Sequence, residues 1–334
     1  MSDFRRILVI RLSSIGDILF TLPAVNVLRD NFPDSNITYL TRRVNAPLLR
    51  GFEAVDVVQE LDHDLFHTRD FFHILPYMGR LWRQLRRESF DLVVDFHGIA
   101  ESGLMARLTR APKRWGIRRK EIRGRMYTFS APPVASHPVD INLELLRKAG
   151  LAIGPLNNRF QLPPEGLSKA KKLYQEWGLA EERPLVFIQP FTKHFYKNWR
   201  LDCYLKYAAF LSKQGIQVVF GGGPSDRKKL EKAASIYPVA AGKADLLTTG
   251  GLMCLSDLIV GGDTGMLHLA NALRKRVIML IRASDKNRFY PYDHPNWIVT
   301  PISNSEVASI FVAQLIIATM QSWTEVPWNS KPDY

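Results

Sequence analysis

Cysteine is scarce in this sequence of 334 residues, which contains only Cys203 and Cys254. Two thiols are too few for a disulfide framework or for a zinc site built on cysteine, so the composition favours neither. A chain with so little cysteine suits a reducing compartment, and we therefore expect the protein to be cytoplasmic.

The sequence also lacks an apolar run long enough to cross a bilayer. The longest run, Val307 to Met320, is interrupted by Ser309 and Gln314 and is shorter than the roughly 20 residues that a membrane helix needs. We expect it to form a last helix, about residues 305–320, that is buried or bridges back to the first domain. The early run Ile7–Ile10 is too short for the apolar part of a signal peptide, so we expect no secretory signal.

Acidic residues are few relative to basic ones. The 32 Asp and Glu residues face 45 Lys and Arg residues, and the formal net charge is +13. This excess favours an anionic partner, which means phosphate groups, nucleic acid or a membrane surface. Much of the charge lies in residues 107–125, where Glu121 is the single acid. No nucleic-acid-binding motif is visible there and stacking aromatics are few, so we expect no nucleic acid partner. We expect Trp115 and Tyr127 to pack on a membrane or a sugar.

Short apolar runs alternate with helical patterns along the whole chain. The runs predicted as strands are Ile7–Ile10, Ile37–Leu40, Val55–Val58, Asp91–Asp95, Leu185–Ile188, Ile216–Phe220, Leu258–Val260 and Val277–Ile281. Such alternation predicts an α/β protein with parallel, doubly wound sheets. Gly and Pro cluster at residues 154–164, so we expect domains at 1–158 and 159–322, followed by a tail at 323–334. Ligands are expected in the cleft between two facing Rossmann-like domains, at the carboxyl ends of the strands.

Two further helices are predicted from helical spacing and start signals. One runs from Asp17 to about Asn31, where Pro23 indicates a kink or a late start. The other runs from Ser225 to Ile236, after three glycines and Pro224. Both follow a predicted strand, as the connecting helices of a parallel sheet do.

The stretch 258–273 combines a buried strand, a glycine turn and a helix. The glycines at 261–262 allow the turn, and Asp263 or Thr264 suits the N-cap position of the helix. Free N–H groups and the helix dipole then form an anion site, which fits the diphosphate of a nucleotide. The turn is neither a Walker nor a Rossmann fingerprint. An ordinary strand-to-helix turn with a packed His268 is therefore the alternative interpretation.

Three motifs, taken together, identify a family. Arg11-x-Ser-x-x-Gly-Asp17 follows the first strand, Lys197-Asn-Trp199 opens the second half, and Asp263-Thr-Gly-x-x-His268-x-Ala comes later. In this order, and over nearly the whole chain, the sequence resembles the bacterial lipopolysaccharide heptosyltransferases, glycosyltransferase family 9. The resemblance implies a GT-B fold, in which the first domain binds the acceptor and the second domain binds the nucleotide sugar.

The resemblance also implies a reaction. A heptose would pass from ADP-heptose to the inner core of lipopolysaccharide, with inversion of the anomeric centre and with no metal or other cofactor. We expect a monomer that lies peripherally on the inner face of the cytoplasmic membrane. Three alternatives remain open: the same fold acting with another nucleotide sugar or glycan acceptor, a non-enzymatic protein that binds nucleic acid or another anionic ligand, and a catalytically silent scaffold.

Site residues follow from the matched motifs. Asp17 matches the general base that takes the proton of the acceptor hydroxyl, although a helix cap is its ordinary role. The residues implied in donor and phosphate binding are Thr192, Lys197, Asp226, Asp263, Thr264, Gly265 and His268. The residues predicted to bind the acceptor are Ser14, Gly16, Arg118, Arg119 and Lys120. The alternatives are an exposed lysine at 197, helix caps or helix-start acids at 226 and 263, and solvated arginines at 118–119.

Some positions depart from the family pattern. Phe191-Thr192 stands where small residues are usual, and Arg200 stands where a proline is usual. Arg282-Ala-Ser-Asp-Lys286 replaces a Gly-x-Thr loop. Because these positions flank the expected phosphate and sugar pockets, they leave the identity of the donor open.

Overall fold

The computed structural model describes residues 4–62, 71–156, 160–302 and 306–325. The chain divides into two compact units, with the boundary between Gln161 and Leu162. This boundary lies inside the Gly- and Pro-rich stretch at residues 154–164. It is three residues beyond the predicted end of the first domain, residue 158. Elements are numbered below within the described ranges.

The first unit is built on a six-stranded parallel sheet in the order β3-β2-β1-β4-β5-β6. Its strands are β1 (Arg6–Ile10), β2 (Asn36–Arg42), β3 (Val57–Leu61), β4 (Leu92–Asp95), β5 (Lys113–Ile117) and β6 (Phe129–Ala131). Its helices are α1 (Ile15–Leu19), α2 (Leu22–Asn31), α3 (Ala46–Leu49), α4 (Phe71–Arg87), α5 (Ala100–Leu108) and α6 (Pro138–Lys148), with a 3-10 helix at Glu121–Met126. From β1 the chain adds strands towards one edge of the sheet, and from β4 it adds them towards the other edge. The position between β1 and β4 is therefore the topological switch point, where open α/β sheets bind ligands.

The apolar run of β1 forms the centre of this sheet. Ile7 and Ile10 are fully buried, as are the two residues between them, because helices cover both faces of a parallel sheet. Ile10 pairs with Leu40 of β2 and with Asp95 of β4. The residue that follows, Arg11, therefore leaves the sheet at the carboxyl edge of three adjacent strands.

The helix predicted over Asp17–Asn31 is divided into α1 and α2. Thr21 is the N-cap of α2, and Pro23 lies in its first turn. Proline lacks an N–H group and is tolerated in a first turn, so the late start that Pro23 indicated is confirmed. Asp17 consequently belongs to a separate five-residue helix.

The basic stretch 107–125 contains a strand, β5, that sequence analysis missed. Trp115 and Tyr127 are each 8% exposed. The Trp115 ring packs against Phe4 at 5.9 Å between centroids, and the Tyr127 hydroxyl donates to Asp95 Oδ2 at 2.6 Å. The prediction that these two aromatics pack on a membrane or a sugar is wrong, because both rings are buried inside the first unit.

The second unit contains a five-stranded parallel sheet in the order β11-β10-β9-β7-β8. Its strands are β7 (Leu185–Gln189), β8 (Gln217–Phe220), β9 (Leu258–Gly262), β10 (Val277–Leu280) and β11 (Ile298–Val299). Its helices are α7 (Pro164–Glu176), α8 (Leu201–Lys213), α9 (Glu231–Ala234), α10 (Leu246–Leu255), α11 (Gly265–Ala272) and α12 (Val312–Glu325), with 3-10 helices at Phe195–Lys197, Pro224–Asp226, Lys228–Leu230 and Val307–Ser309. In this sheet the topological switch point lies between β7 and β9.

The second sheet is buried on both faces. Along β7, Val186 and Ile188 join one hydrophobic cluster, whereas Leu185 and Phe187 join the cluster on the opposite face. This alternation follows from the two-residue period of a strand, and double burial explains why the run is apolar throughout.

The helix predicted over Ser225–Ile236 is broken into two 3-10 turns and the short α9. Asp226 accepts a hydrogen bond from the backbone N–H of Gly223 through Oδ2, at 3.1 Å. Such local bonds between a side chain and the backbone compete with a continuous helix, which accounts for the difference.

The last helix begins later than predicted, at Val312, and ends at Glu325. The first three residues of the predicted tail at 323–334 are therefore helical. Helix α12 packs against α8 within the second unit. Across the described ranges, no helix has both the length and the apolar character needed to cross a bilayer.

Candidate active site

The second unit places a half-buried lysine and a buried aspartate together at its topological switch point. Lys197 follows β7, and Asp263 follows β9, the neighbouring strand. The Lys197 Nζ lies 2.5 Å from Asp263 Oδ2, and the two side chains are 15% and 7% exposed. We call this pair, with His268, the lysine–aspartate site.

Two glycines permit the close approach that forms this site. A Cβ atom on Gly261 would lie 2.4 Å from the carbonyl oxygen of Gln189. A Cβ atom on Gly262 would lie 2.8 Å from Thr192 Cγ2 and 2.9 Å from the carbonyl oxygen of Lys197. Only glycine at these two positions lets the segment after β7 pack directly on the end of β9.

The Lys-Asn-Trp motif holds Lys197 in place. Trp199 is fully buried, and its indole Nε1 donates to the carbonyl oxygen of Ile310 at 2.8 Å. Asn198 Oδ1 accepts from the backbone N–H of Thr192 at 2.7 Å. Lys197, the first residue of the motif, is thereby fixed on the side facing Asp263.

His268 lies one turn into α11 and contacts the other oxygen of the same carboxylate. Its Nε2 is 3.3 Å from Asp263 Oδ1, and its side chain is 5% exposed. Burial raises the pKa of Asp263, but His268 and Lys197 together lower it by more than burial raises it. The net pKa therefore lies below the ordinary value. Asp263 is therefore ionised at neutral pH and holds both neighbours.

The start of α11 adds backbone donors beside this ion pair. Thr264 is the N-cap and Gly265 is the first helical residue, and both are half-buried. The first N–H groups of a helix have no partner within the helix, and they carry the positive end of its dipole. The lysine–aspartate site therefore combines an ammonium group with amides suited to a phosphate.

Two other predicted donor residues occupy neighbouring loops. Thr192 Oγ1 donates to the carbonyl oxygen of His194 at 2.8 Å, so its hydroxyl shapes the loop after β7. Asp226 lies after β8, where Oδ1 accepts from Lys229 Nζ at 3.1 Å and Oδ2 from the Gly223 backbone. Among the described contacts, none joins Asp226 to the lysine–aspartate site.

The loops that depart from the family pattern contact one another. The guanidinium of Arg282 lies 4.6 Å from the centroid of the Tyr196 ring, and its Nη2 is 2.7 Å from Asp285 Oδ2. The Phe289 ring lies 5.1 Å from Lys197 Nζ. The side chain of Lys229 lies 5.2 Å over the Phe191 ring. The two loops that carry departing residues therefore meet at Arg282 and Tyr196, and Phe289, just beyond the second loop, reaches Lys197 of the lysine–aspartate site.

The first unit carries a second candidate site at its own switch point. Asp17 Oδ1 is 2.7 Å from Arg11 Nη2. Asp17 Oδ2 accepts from the Ser14 hydroxyl at 2.8 Å and from the Ser14 backbone N–H at 3.1 Å. Arg11 is 8% exposed at its side chain, whereas Asp17 is 34% exposed. We call these three residues the aspartate–arginine site.

Electrostatics keep Asp17 ionised. Burial raises the pKa of its carboxyl, but the Arg11 charge and the hydrogen bonds from Ser14 outweigh burial, so the net pKa is lowered. Sequence analysis assigned no role to Arg11, although it is the first residue of the motif that ends at Asp17. Its position immediately after a buried strand was the available signal.

The residues predicted to bind the acceptor fall into separate environments. Ser14 holds Asp17, and Gly16 is buried in α1, where its carbonyl oxygen accepts from Phe20. Arg118, Arg119 and Lys120 follow β5, at the same edge of the sheet as Asp17. Arg118 pairs with Glu121, Arg119 Nε donates to the carbonyl oxygen of His97 at 2.9 Å, and Lys120 is exposed.

Comparison with known proteins assigns the family. The model of glycosyltransferase family 9 (heptosyltransferase) matches residues 78–309, more than half of the chain. Lipopolysaccharide heptosyltransferase 3 of Escherichia coli strain K12 is 25% identical over 291 residues, covering 83% of this chain and 82% of that protein. A glycosyl transferase family 9 structure from Veillonella parvula DSM 2008 has a TM-score of 0.87 at 19% identity, covering 97% and 98% of the two chains. The E. coli heptosyltransferase WaaC with ADP-2-deoxy-2-fluoro heptose has a TM-score of 0.77 at 18% identity, covering 95% and 99%.

These likenesses agree with the two parallel-sheet units described above, so the predicted GT-B fold class is confirmed. The family resemblance inferred from the three motifs is confirmed by the family model. The chain belongs to glycosyltransferase family 9, the heptosyltransferase family, and is a glycosyltransferase.

Proposed function

We propose that this protein transfers a heptose from ADP-heptose to the inner core of lipopolysaccharide. The observation that carries the proposal is the Lys197–Asp263 ion pair beside the start of α11. An ammonium group and helix amides suit the diphosphate of a nucleotide sugar. We infer the identity of the sugar from the relatives, since one is a lipopolysaccharide heptosyltransferase and the structure of another contains an ADP-heptose analogue.

In this proposal Asp17 is the general base. It takes the proton of an acceptor hydroxyl while the oxygen attacks the anomeric carbon of the donor sugar. The bond from that carbon to the diphosphate oxygen breaks, and its electron pair leaves with ADP. A single displacement of this kind inverts the anomeric centre. The lowered pKa keeps Asp17 in the carboxylate form, and Arg11 and Ser14 fix its orientation while leaving lone pairs free.

Lys197 and the amides of Thr264 and Gly265 compensate the charge that develops on the leaving ADP. Asp263 keeps the Lys197 ammonium in position, and His268 supports that carboxylate from its other oxygen. With these groups, the proposed reaction needs neither a metal nor another cofactor. Asp226 and Thr192 belong to the loops that we expect to contact the rest of the nucleotide sugar.

Another nucleotide sugar is the alternative that the structure itself raises. The departing residues Phe191 and Arg282 lie on loops around the lysine–aspartate site, and Arg282 packs on Tyr196. Side chains of this size close to a sugar pocket change which sugar fits. Trp115 of the basic stretch and Tyr127, just beyond it, are buried, which disfavours the nucleic-acid alternative because bases need exposed rings for stacking.

The proposal predicts the outcome of a direct transfer assay. The protein should add one heptose to a truncated inner-core lipopolysaccharide when ADP-heptose is supplied, and UDP- and GDP-sugars should give little product. EDTA should leave the rate unchanged. Product mass identifies the sugar transferred, and NMR of the new linkage tests inversion. Preferred use of another donor would overturn the ADP-heptose assignment, and loss of activity in EDTA that Mg²⁺ restores would overturn the metal-free scheme.

We also propose that the protein is a monomer that binds peripherally to the inner, anionic face of the cytoplasmic membrane. The net charge of +13 and the basic residues after β5 support this location. Each basic residue near an anionic surface contributes about 1 kcal/mol of attraction.

Charge reversal tests this location. The variant Arg118→Glu/Arg119→Glu/Lys120→Glu should bind anionic liposomes at least about tenfold more weakly, with a steep dependence on salt, and should use the acceptor less well. ADP affinity should not change, because these residues lie in the first unit. The matched control reverses three exposed lysines of α7, Lys169, Lys171 and Lys172, and changes the net charge equally. Equal loss of liposome binding in both variants would show that net charge, not this cluster, is responsible.

A further inference from the structure

The carboxyl ends of three neighbouring strands, β2, β1 and β4, meet at the switch point of the first sheet. Arg11, after β1, donates from Nη1 to the carbonyl oxygen of Phe96 at 2.8 Å, and the Phe96 N–H donates to Ile10 at 3.1 Å. Arg42, the last residue of β2, donates its N–H to the carbonyl oxygen of Leu12 at 3.3 Å. The residue after Phe96 is His97, so Arg42 and His97 flank the segment that carries the aspartate–arginine site.

Arg11 and Arg42 differ sharply in their partners. The Arg11 guanidinium contacts the carbonyl oxygens of Ser13 and Phe96 and the carboxylate of Asp17. Within the described ranges, the Arg42 side chain has no ion pair and no hydrogen bond, and its Nε is buried. Arg11 is therefore a structural and positioning arginine, whereas Arg42 is a half-buried cation without a partner among the described residues. Native proteins usually satisfy buried polar groups, so such a cation indicates a ligand.

The His97 ring also carries a buried nitrogen without a described hydrogen-bond partner. Its Nδ1 is buried and, in the part of the chain that the structure describes, has no hydrogen-bond partner. The backbone at His97 is nevertheless rigidly held, since its N–H donates to Asp95 and its carbonyl oxygen accepts from Arg119. Gly98 has φ +67°, and a Cβ atom there would lie 2.2 Å from the carbonyl oxygen of Ile117. Only glycine allows the tight turn that presents the ring.

Burial and the nearby charges keep the His97 ring neutral. Burial has the largest effect, the charges of Arg11, Arg119 and Arg42 add to it, and Asp17 opposes them; together they lower the pKa of His97 to about 3. The imidazole is thus neutral at neutral pH and can form hydrogen bonds without adding charge. Asp17 is already paired with Arg11. Arg42, by contrast, has no carboxylate paired with it among the described residues.

We propose that Arg42 and His97 form a subsite for an acidic group, carboxylate or phosphate, that the acceptor carries near the hydroxyl deprotonated by Asp17. A guanidinium forms strong, charge-assisted hydrogen bonds with either group, and the neutral imidazole completes the recognition. The proposal rests on the proposed function for the position of the acceptor. Arg42 ends β2 and His97 follows β4, whereas the predicted acceptor residues Arg118, Arg119 and Lys120 follow β5.

Binding of simple sugars tests the subsite without turnover. The probes are glucuronate, glucose 6-phosphate and neutral glucose, titrated into protein with isotope-labelled histidine and followed by NMR. The His97 signals, assigned with His97→Asn, should shift saturably with at least one acidic sugar and not with glucose. The acid that shifts them identifies carboxylate or phosphate as the preferred group. Equal shifts with glucose, or no shift with either acid, would overturn the proposal.

Variants of Arg42 and of its neighbour supply the matched comparison. Arg42→Gln should weaken binding of the acidic sugar and raise the acceptor KM, each at least about tenfold, with kcat and ADP affinity unchanged. Arg42→Lys retains charge and should lose less. Arg43→Gln is the control, since Arg43 is exposed and pairs with Glu60 and Asp62. Thermal melting verifies that each variant is folded.

The two proposals fail in different ways. If acidic sugars bind at His97 but no heptose is transferred, the proposed function is wrong and the subsite stands. If heptose is transferred but Arg42→Gln matches Arg43→Gln in binding and in KM, the subsite is wrong and the proposed function stands.

Discussion

Asp17→Asn should lower the turnover number by about two to four orders of magnitude, the usual contribution of a general base. Asparagine has nearly the same shape and can still accept hydrogen bonds from Ser14, but it cannot take a proton at neutral pH. ADP affinity should be unchanged, because the lysine–aspartate site lies in the second unit. Steady-state transfer kinetics and ADP titration measure the two quantities.

Asp56→Asn is the matched control for this variant. Asp56 is also a carboxylate of the first unit that pairs with an arginine, Arg29, and accepts from a backbone N–H. Its loss should lower thermal stability and leave the turnover of folded enzyme near the wild-type value. If Asp17→Asn behaves in the same way, Asp17 is a structural carboxylate and another base must be sought.

The pH profile gives a separate check on Asp17. Burial raises the pKa of Asp17, but the Arg11 charge and the Ser14 hydrogen bonds hold it below the ordinary aspartate value, so the carboxylate remains the dominant form at neutral and mildly acidic pH. A wild-type kcat/KM that declines through an apparent pKa well above the ordinary aspartate value on the acid side would assign the essential base to a different group.

Lys197→Ala should lower kcat by about two to three orders of magnitude, the range found when one preorganised donor to a developing negative charge is removed. ADP affinity should fall as well, since the ammonium is expected to contact the diphosphate in the ground state. Lys193→Ala removes an exposed lysine from the same loop and should leave both quantities unchanged.

One complication of Lys197→Ala can be separated experimentally. The variant leaves the buried Asp263 carboxylate with His268 as its remaining described partner, which destabilises the folded state. Lys197→Ala/Asp263→Asn removes that charge, so its melting temperature should recover relative to the single variant. Turnover should stay low in both variants. Recovery of turnover along with stability would mean that Lys197 serves only to neutralise Asp263.

The outlines of the fold followed from the sequence because most strands are central strands of parallel sheets. Runs such as Ile7–Ile10 and Leu185–Ile188 are apolar throughout, since both faces of each strand are covered. The family also followed from the sequence, because its motifs lie just after β1, β7 and β9, where the residues of both candidate sites stand. Glycines at 261–262 indicated a tight turn, and their close contacts with neighbouring backbone explain why they are required.

Sequence analysis did not predict β5, β6 and α10, because the burial of these elements depends on partners far away in the chain. Strand β5 carries basic residues, and β6 is only three residues long, so neither has the pattern of a buried strand. Helix α10 contains Gly250 and Gly251, which argue against a helix locally. A Cβ atom on Gly251 would lie 2.3 Å from the carbonyl oxygen of Gly166, so these glycines serve the close packing of α10 on α7.

The sequence by itself determined most of the central strands and which reactive side chains follow them. Only the tertiary structure decided which strand ends are neighbours. Strand order set Lys197 against Asp263, and it set Arg42 and His97 on the two sides of the segment that carries Arg11. The physical reason is that backbone pairing between strands far apart in the chain fixes these distances, and no local pattern records which strands will pair.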